Sequence, residues 1–341
     1  MSFDVEDRYM RRALQLAALG AGHTSPNPMV GAVIVGPDGG IIGEGWHRRC
    51  GEGHAEVNAI ASVRRPEQLP HSTMYVTLEP CSHWGKTPPC ASLIISKRIP
   101  RVVVGASDPF PAVNGRGIAM LREAGTEVVT DVLAQESLRL NARFIIAHTQ
   151  QRPFVLLKWA QSADGFLDCR RQPGGAAARI STPLTSLLTH RLRAMCDAIL
   201  AGSGTVLADD PRLDARLWPG GRAPRPVIPD RRGRVPRTAR IMQRDPVIVR
   251  SATDPAELLP MLYREHGITS LMVEGGSRVL ASFVDSGLWD AARVEVSPQR
   301  FGADGTAPAP VLPVMPARTD HVDGNSIHFY SQSPLVDVKN L

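Results

Sequence analysis

Apolar positions along the chain follow two periods. From Asp4 to Leu19 they recur at helical spacing, and the run stops at Gly20-Ala21-Gly22, which predicts an amphipathic helix with a glycine stop. Ser25-Pro26-Asn27-Pro28 predicts a stiff loop. Apolar runs at Met29 to Val35 and Ile41 to Gly45, separated by Pro37-Asp38-Gly39-Gly40, predict two strands joined by a hairpin turn, with Trp46-His47 following. Val57, Ala59, Ile60, Ala61 and Val63 predict a helix, and Met74 to Leu78 a buried strand that ends at Glu79. Pro88-Pro89 opens a further helix reaching Lys97. Arg101 to Gly105 reads as a strand, Gly115 to Ala124 as a helix, Glu127 to Thr130 as a short strand and Val132 to Thr149 as one long helix. Helix alternating with strand predicts a three-layer α/β domain whose site lies at the carboxyl ends of the strands.

Gln150-Gln151-Arg152-Pro153 reads as a joint, and a second α/β alternation begins beyond it. Pro153 to Trp159 is an apolar strand followed by Gln161-Ser162-Ala163-Asp164-Gly165, and Thr182-Pro183 starts a helix ending near Arg193. Ala198 to Ala201 predicts a strand running into Gly202-Ser203-Gly204-Thr205. Ser270 to Val273 predicts another running into Glu274-Gly275-Gly276-Ser277, with a helix from Arg278 to Val284. Both junctions offer backbone N–H nests for phosphate. Neither is a G-x-G-x-x-G fingerprint, and an ordinary tight turn is the commoner meaning of each. The length of 341 residues agrees with two domains, drawn here as 1–149 and 150–341.

Composition narrows the class. Hydrophobic residues at 43% and charged residues at 21% are those of a globular chain with a full core, and no apolar run is long enough to span a membrane. The acidic start, Met1 to Asp7, carries no signal-peptide pattern, and five cysteines, an odd number, point to a reducing cytoplasm rather than a disulfide framework. The net charge of +6 admits a nucleic-acid partner, but aromatics at 5% supply poor stacking platforms, and phosphorylated small molecules account equally well for the excess.

The chemistry is concentrated in Gly53-His54-Ala55-Glu56 and in the stretch from Glu79-Pro80-Cys81 to Pro88-Pro89-Cys90. One imidazole and two thiols make the three-ligand set of a catalytic zinc that keeps water in its fourth position, and Glu56 is left over to move protons. H-x-E followed by P-C…C is the signature of zinc-dependent nucleobase deaminases. His54 and Glu56, two apart, cannot share a mid-helix face, so His54 is expected in the irregular first turn of its helix. Cys90 is expected in the first turn of the next helix, where a thiolate is favoured. Taken singly, the triplet is an ordinary helix sequence, and the two cysteines are compatible with a structural half-site, for which Cys50, His47 and His83 are the nearby spare ligands.

Together with Pro26-Asn27-Pro28-Met29-Val30-Gly31 and Gly43-Glu44-Gly45-Trp46-His47, these motifs give Thr24 to Cys90 a resemblance to the deaminase half of the bifunctional riboflavin-biosynthesis deaminase–reductases. The wide Cys81–Cys90 spacing is a mark of that family. The second half resembles its reductase domain, through Leu157-Lys158, Ser162, Asp164-Gly165, the run Gly204 to Pro211 and Val273 to Ser277. The resemblance implies a cytidine-deaminase-like domain followed by a dihydrofolate-reductase-like domain, with Zn2+ and NADPH as cofactors. It implies hydrolytic deamination of a diaminopyrimidinone ribosyl phosphate and then reduction of the ribosyl to a ribityl group. By the same resemblance Asn27, His47, Lys86 and Asp108 hold the deaminase substrate, and Arg193, Leu213, Arg216 and Glu274 the reductase substrate. Ala160, Arg179, Thr205, Asp209, Gly275, Gly276 and Ser277 match cofactor positions, and self-association is implied as well.

The chain departs from the family pattern at Phe110, where an Asn is usual, and at Ala177-Ala178-Arg179-Ile180-Ser181, where Ser-x-Trp-Ile-Thr is usual. These departures keep open a deaminase with a degenerate reductase domain. A nucleic-acid base deaminase and a non-catalytic homologue with a structural zinc are the other readings. Neither a nucleic-acid nor a membrane partner is expected.

Overall fold

In the first unit, Met1–Thr149, helix α1 (Val5–Ala18) leads to the hairpin β1 (Gly31–Val35) and β2 (Ile41–Trp46). Then come α2 (Ala55–Ala61), β3 (Thr73–Leu78), α3 (Cys90–Ser96), β4 (Arg101–Ala106), α4 (Arg116–Glu123), β5 (Glu127–Val129), α5 (Ala134–Leu140) and α6 (Ala142–Gln150). The protein is seen as a computed structural model that describes residues 5–82, 84, 88–108, 115–172 and 175–341. The strands form one sheet in the order β2-β1-β3-β4-β5, antiparallel in the hairpin and between β1 and β3, parallel from β3 to β5.

Successive strand residues point to opposite faces, and each face has its own cover. Ala32, Ile34, Met74, Val76, Val102 and Val104 pack with Ala55 and Ala59 of α2, Ile94 of α3 and Leu121 of α4. Val33, Val35, Tyr75 and Val103 point the other way, onto Tyr9, Met10, Ala13 and Leu16 of α1. Burial on both sides explains why these strands read as unbroken apolar runs. Two glycines set how closely the helices seat. A Cβ on Gly31 would lie 2.0 Å from the Ala13 carbonyl oxygen, and one on Gly45 would lie 2.3 Å from the Ala59 nitrogen.

The expected long helix from Val132 to Thr149 is instead two helices, α5 and α6, broken at Asn141. The cause is tertiary. The buried Asn141 amide accepts from the Met29 N–H at 2.8 Å and donates to the Met29 carbonyl at 2.9 Å. The same contacts hold Met29 ahead of the sheet, so β1 begins at Gly31 rather than at Met29.

The second unit, Gln150–Leu341, contains β6 (Phe154–Gln161), β7 (Phe166–Cys169), α7 (Pro183–Ala194), β8 (Ala198–Leu200), α8 (Ser203–Asp209), β9 (Arg225–Pro229), β10 (Val247–Val249) and α9 (Pro255–His266). It continues with β11 (Ser270–Val273), α10 (Ser277–Asp285), β12 (Ala291–Val296), β13 (Gly305–Pro308), β14 (Arg318–Val322) and β15 (Asn325–Ser331). Eight strands pair in the order β10-β9-β8-β11-β6-β12-β15-β14, parallel from β10 to β12 and antiparallel beyond, and β13 pairs with β7 apart from them. Val155, Leu157, Leu200, Leu271 and Val273 pack against Leu258, Leu259 and Leu262 of α9 and Leu280 and Phe283 of α10. The first strand is pinned at its start by Asp290, which takes a two-pronged ion pair from Arg152 at 2.7 Å and the Val155 N–H at 2.7 Å. β9, β10, α9, β12 and the antiparallel edge were not anticipated from the sequence pattern, although Asp254 and Pro255 carry an ordinary N-cap and N1 signal for α9.

Replacing Gly31 with Ala forces a methyl into the Ala13 backbone. We expect Gly31→Ala to lose about 2–3 kcal/mol of unfolding free energy, within the range of overpacked cores. The change should appear as a lower urea midpoint at unchanged slope. An unshifted midpoint would show that α1 does not seat on β1 in this way.

Candidate active sites

The first site is assembled where β2 and β3 end. Asn58 donates its side-chain amide to the carbonyls of Trp46 at 2.8 Å and Gly53 at 3.0 Å, tying the approach of α2 to the end of β2. The His47 Nδ1 lies 3.2 Å from the same Gly53 oxygen, which can only accept. Its Nε2 lies 3.1 Å from Asn27 Nδ2 and accepts from it, so the two contacts together select the Nδ1–H tautomer. Desolvation lowers the His47 pKa and keeps the ring neutral.

With that entry fixed, His54 takes the N-cap position of α2 in an extended conformation. Cys81 leaves the end of β3, and Cys90 is the first residue of α3, its N–H donating to Cys81 Sγ at 3.3 Å. His54 Nδ1 lies 3.6 Å from Cys81 Sγ and 3.4 Å from Cys90 Sγ, and the three ligand atoms all fall within 4.8 Å of one another. A tetrahedral zinc with Zn–S of about 2.3 Å and Zn–N of about 2.1 Å sets N···S at about 3.6 Å, so the donors fit that metal in type and spacing. The Cys90 thiol, then His54 and the Cys90 N–H, lower the Cys81 pKa by hydrogen bonding, while Cys90, as donor to that thiolate and buried, is pushed up. Cys81 likewise raises His54.

Glu56 is only 3% exposed, and desolvation, with the Cys81 charge next, pushes its carboxyl up to about 7. A group with that value exchanges protons readily near neutral pH. The cavity beside it encloses about 290 Å³ and is lined by Asn27, His47, His54, Glu56, Cys81 and Asp108, and also by Phe144 and His148 of α6. The last two had no place in the sequence reading, and their only signal is a four-residue spacing on one helical face. Glu79 also lines this cavity, and its carboxylate is engaged by backbone: it accepts from the N–H groups of Asp108, Gly115, Gly117 and Ile118 at 2.9–3.3 Å, capping α4. Lys86 and Phe110 lie outside the described residues.

The second site lies at the carboxyl ends of β8, β11 and β6, neighbours in the sheet. An open cavity of about 910 Å³ is bordered by Ala160, Thr205, Asp209, Glu274, Gly275, Gly276 and Ser277, all named from the sequence, and by Lys158, Arg171 and Arg234, which were not named as site residues. Arg193 is absent from its lining. It meets Glu274 through a two-pronged ion pair at 2.7 Å, both side chains nearly buried. Burial pushes Glu274 up, yet the Arg193 charge and hydrogen bonds, with Lys158 close by, bring its pKa below the ordinary range. Burial lowers the Lys158 ammonium. Arg216 is exposed and paired with Asp214 at 2.5 Å, and Leu213 is buried, neither of them in the cavity wall.

Ala177 lines the cavity, but Arg179 is exposed and does not. One cation that does stand there is Arg171, which joins Asp168 to Asp209 at 2.6 Å each.

The cytidine and deoxycytidylate deaminase zinc-binding region matches residues 4–106, and the RibD C-terminal domain matches residues 153–315. The riboflavin biosynthesis protein RibD of Aquifex aeolicus is 38% identical over 321 residues, covering 88% of each chain. The crystal structure of a diaminohydroxyphosphoribosylaminopyrimidine deaminase/5-amino-6-(5-phosphoribosylamino)uracil reductase from Thermotoga maritima superposes with a TM-score of 0.85 at 35% identity, covering 95% of this chain and 98% of that one. RibD of Acinetobacter baumannii superposes with a TM-score of 0.85 at 30% identity over the same shares.

The donor set generates a direct test. Cys81→Ser removes a thiolate, and bound zinc measured by mass spectrometry of the metal should fall from one equivalent per chain to a small fraction of it. Zinc retained near one equivalent would reject Cys81 as a ligand.

Proposed function

The chain belongs to the RibD family of bifunctional riboflavin-biosynthesis enzymes, and on that premise we propose which residues carry each of its two reactions and on what substrate. It is a zinc-binding deaminase joined to an NADPH-dependent reductase. The deaminase acts on 2,5-diamino-6-ribosylamino-4(3H)-pyrimidinone 5′-phosphate, and the reductase converts the ribosyl group of the product to ribityl. The observation that carries the reading is the convergence of His54, Cys81 and Cys90 within 4.8 Å beside the buried Glu56.

His54, Cys81 and Cys90 would hold a zinc, which when bound would supply a water activated near neutral pH. Glu56 is the group beside them that would carry protons to the ring nitrogen and to the departing amine. Its raised pKa suits both directions of transfer. Asn27 and His47, locked together at 3.1 Å, orient the pyrimidine, with Asp108 on the same cavity wall. Lys86 meets the substrate phosphate.

In the second unit NADPH supplies the hydride. The loops at 202–205 and 274–277 border the cavity and would meet its phosphates, and Ala160, Thr205 and Asp209 would complete its site. Glu274, kept ionised by Arg193, faces the substrate. Arg179 stands away from this cavity, so its side chain does not take the place of the family's indole beside the cofactor. We place the protein in the cytoplasm, a reducing compartment in which thiol ligands such as Cys81 and Cys90 stay unoxidised.

The central experiment incubates purified protein with the diaminopyrimidinone phosphate, with and without NADPH, and follows products by mass spectrometry. Ammonia release without NADPH and ribityl product only with it are expected. A protein that releases no ammonia rules out the deaminase assignment.

Two further outcomes follow from the residues. Glu56→Gln keeps shape and metal but cannot carry the proton, so zinc should remain while ammonia release falls by roughly 10²-fold or more, the scale of positioned proton transfer. NADPH should quench or enhance fluorescence in a saturable titration. No saturation up to the millimolar range, where binding energy is only about 4 kcal/mol, would mean that the second unit no longer takes the cofactor.

A further inference from the structure

The carboxyl end of β9 adds a third junction to the cavity of the second unit. β9, β8 and β11 are parallel neighbours in the sheet. The stretch Asp230-Arg231-Arg232-Gly233-Arg234, which leaves β9, therefore lies along the same sheet edge as 202–205 and 274–277. Asp230 is 2% exposed and accepts the N–H groups of Arg234 and Val235 at 3.0 Å each, while its carbonyl takes the Gly233 N–H at 3.1 Å. These bonds pin the backbone at Arg234. Its guanidinium reaches the next junction and donates to Ser203 Oγ at 3.1 Å, and both residues line the cavity.

The charges on the wall do not balance. Among the described residues its cations are Lys158, Arg171, Arg234 and Arg278, and its carboxylates are Asp168, Asp209 and Glu274. Arg171 takes Asp168 and Asp209, and Glu274 is held by Arg193 with Lys158 close by. Arg234 and Arg278 form no ion pair with a carboxylate among the described residues. Asp230 lies within electrostatic reach of Arg234, but Arg250 shares it, so one carboxylate answers two guanidiniums and the end of β9 keeps an excess of positive charge. The two uncompensated cations also stand apart. Arg278 is in the first turn of α10, beside the 274–277 junction, where a helix start favours an anion. Arg234 comes from β9, two strands from β11, a span of about 10 Å.

NADPH likewise carries negative charge in two places, its pyrophosphate and the 2′-phosphate of its adenosine ribose. A terminal phosphate suits the planar fork of donors that an arginine presents. We propose that Arg234, together with the Ser203 hydroxyl, binds the 2′-phosphate of NADPH and sets the preference of the reductase for NADPH over NADH. The proposal rests on the NADPH reading of this cavity and adds to it the residue that tells the phosphorylated cofactor from the unphosphorylated one.

Equilibrium titrations of the full-length chain with NADPH and with NADH, followed by cofactor fluorescence, test it. Arg234→Gln removes the charge and keeps a polar side chain. It should raise Kd for NADPH roughly tenfold or more, the scale of a charge-assisted hydrogen bond, and leave Kd for NADH within about twofold of wild type. Arg234→Lys restores the charge without the fork and should recover much of the NADPH affinity. Arg234 is exposed, so both variants should melt at the wild-type temperature. An unchanged NADPH Kd in Arg234→Gln overturns the proposal. An equal loss for NADPH and NADH also overturns it, because Arg234 then serves a part that the two cofactors share. A wild-type chain that binds no NADPH up to millimolar concentration overturns the cofactor reading itself, and the contact with it.

Discussion

A buried carboxylate at the end of β3 organises the first unit. Glu79 takes the N–H groups of Asp108, Gly115, Gly117 and Ile118, so one side chain satisfies the first donors of α4 and fixes the chain leaving β4. Those donors have no partner within the helix and would be costly to bury unpaired. Two residues further on, Cys81 meets His54 and Cys90 in the candidate metal site. The strand that anchors the scaffold thus also positions a ligand, and an error in one would displace the other.

The candidate metal donors come from places where backbone geometry is already decided. His54 is the N-cap of α2 and Cys90 the first residue of α3, and neither depends on a flexible loop for its direction. Around them the site is small and desolvated, which explains why Glu56 is held near neutrality and His47 uncharged. The Asn27–His47 and His47–Gly53 hydrogen bonds then leave the imidazole a single tautomer. Rigid supports of this kind keep reacting groups in place without reorganisation during the reaction.

The second unit solves a different problem. Its cavity is larger and more open, and charged groups on its border sit in compensating sets: Glu274 backed by Arg193, and Arg171 between Asp168 and Asp209. A buried pair such as Arg193–Glu274 adds little net stability, but removing one partner strands the other charge, at a cost of about 3–5 kcal/mol. The pair is better understood as holding Glu274 ionised and aimed than as a source of stability.

Much of this was legible in the sequence where local chemistry decides. The buried strands of the first unit appear as apolar runs because both faces are covered, and the HAE and PC…C motifs mark the donors because zinc demands those residue types in those settings. Other features required the fold. Asn141 breaks a helix only because Met29, more than a hundred residues earlier, presents its backbone there. Phe144 and His148 join the zinc cavity for the same reason, since a helical period says which residues share a face but not what that face meets. Arg171 rather than Arg179 borders the second unit's cavity, a choice made by two carboxylates on separate elements. Sequence determined the types of element and the chemical identity of the residues that converge at the candidate metal site, because both follow from neighbours along the chain. Tertiary structure alone decided the partners of buried polar groups, because a hydrogen bond across the fold is satisfied by proximity in space and leaves no periodic trace in the sequence.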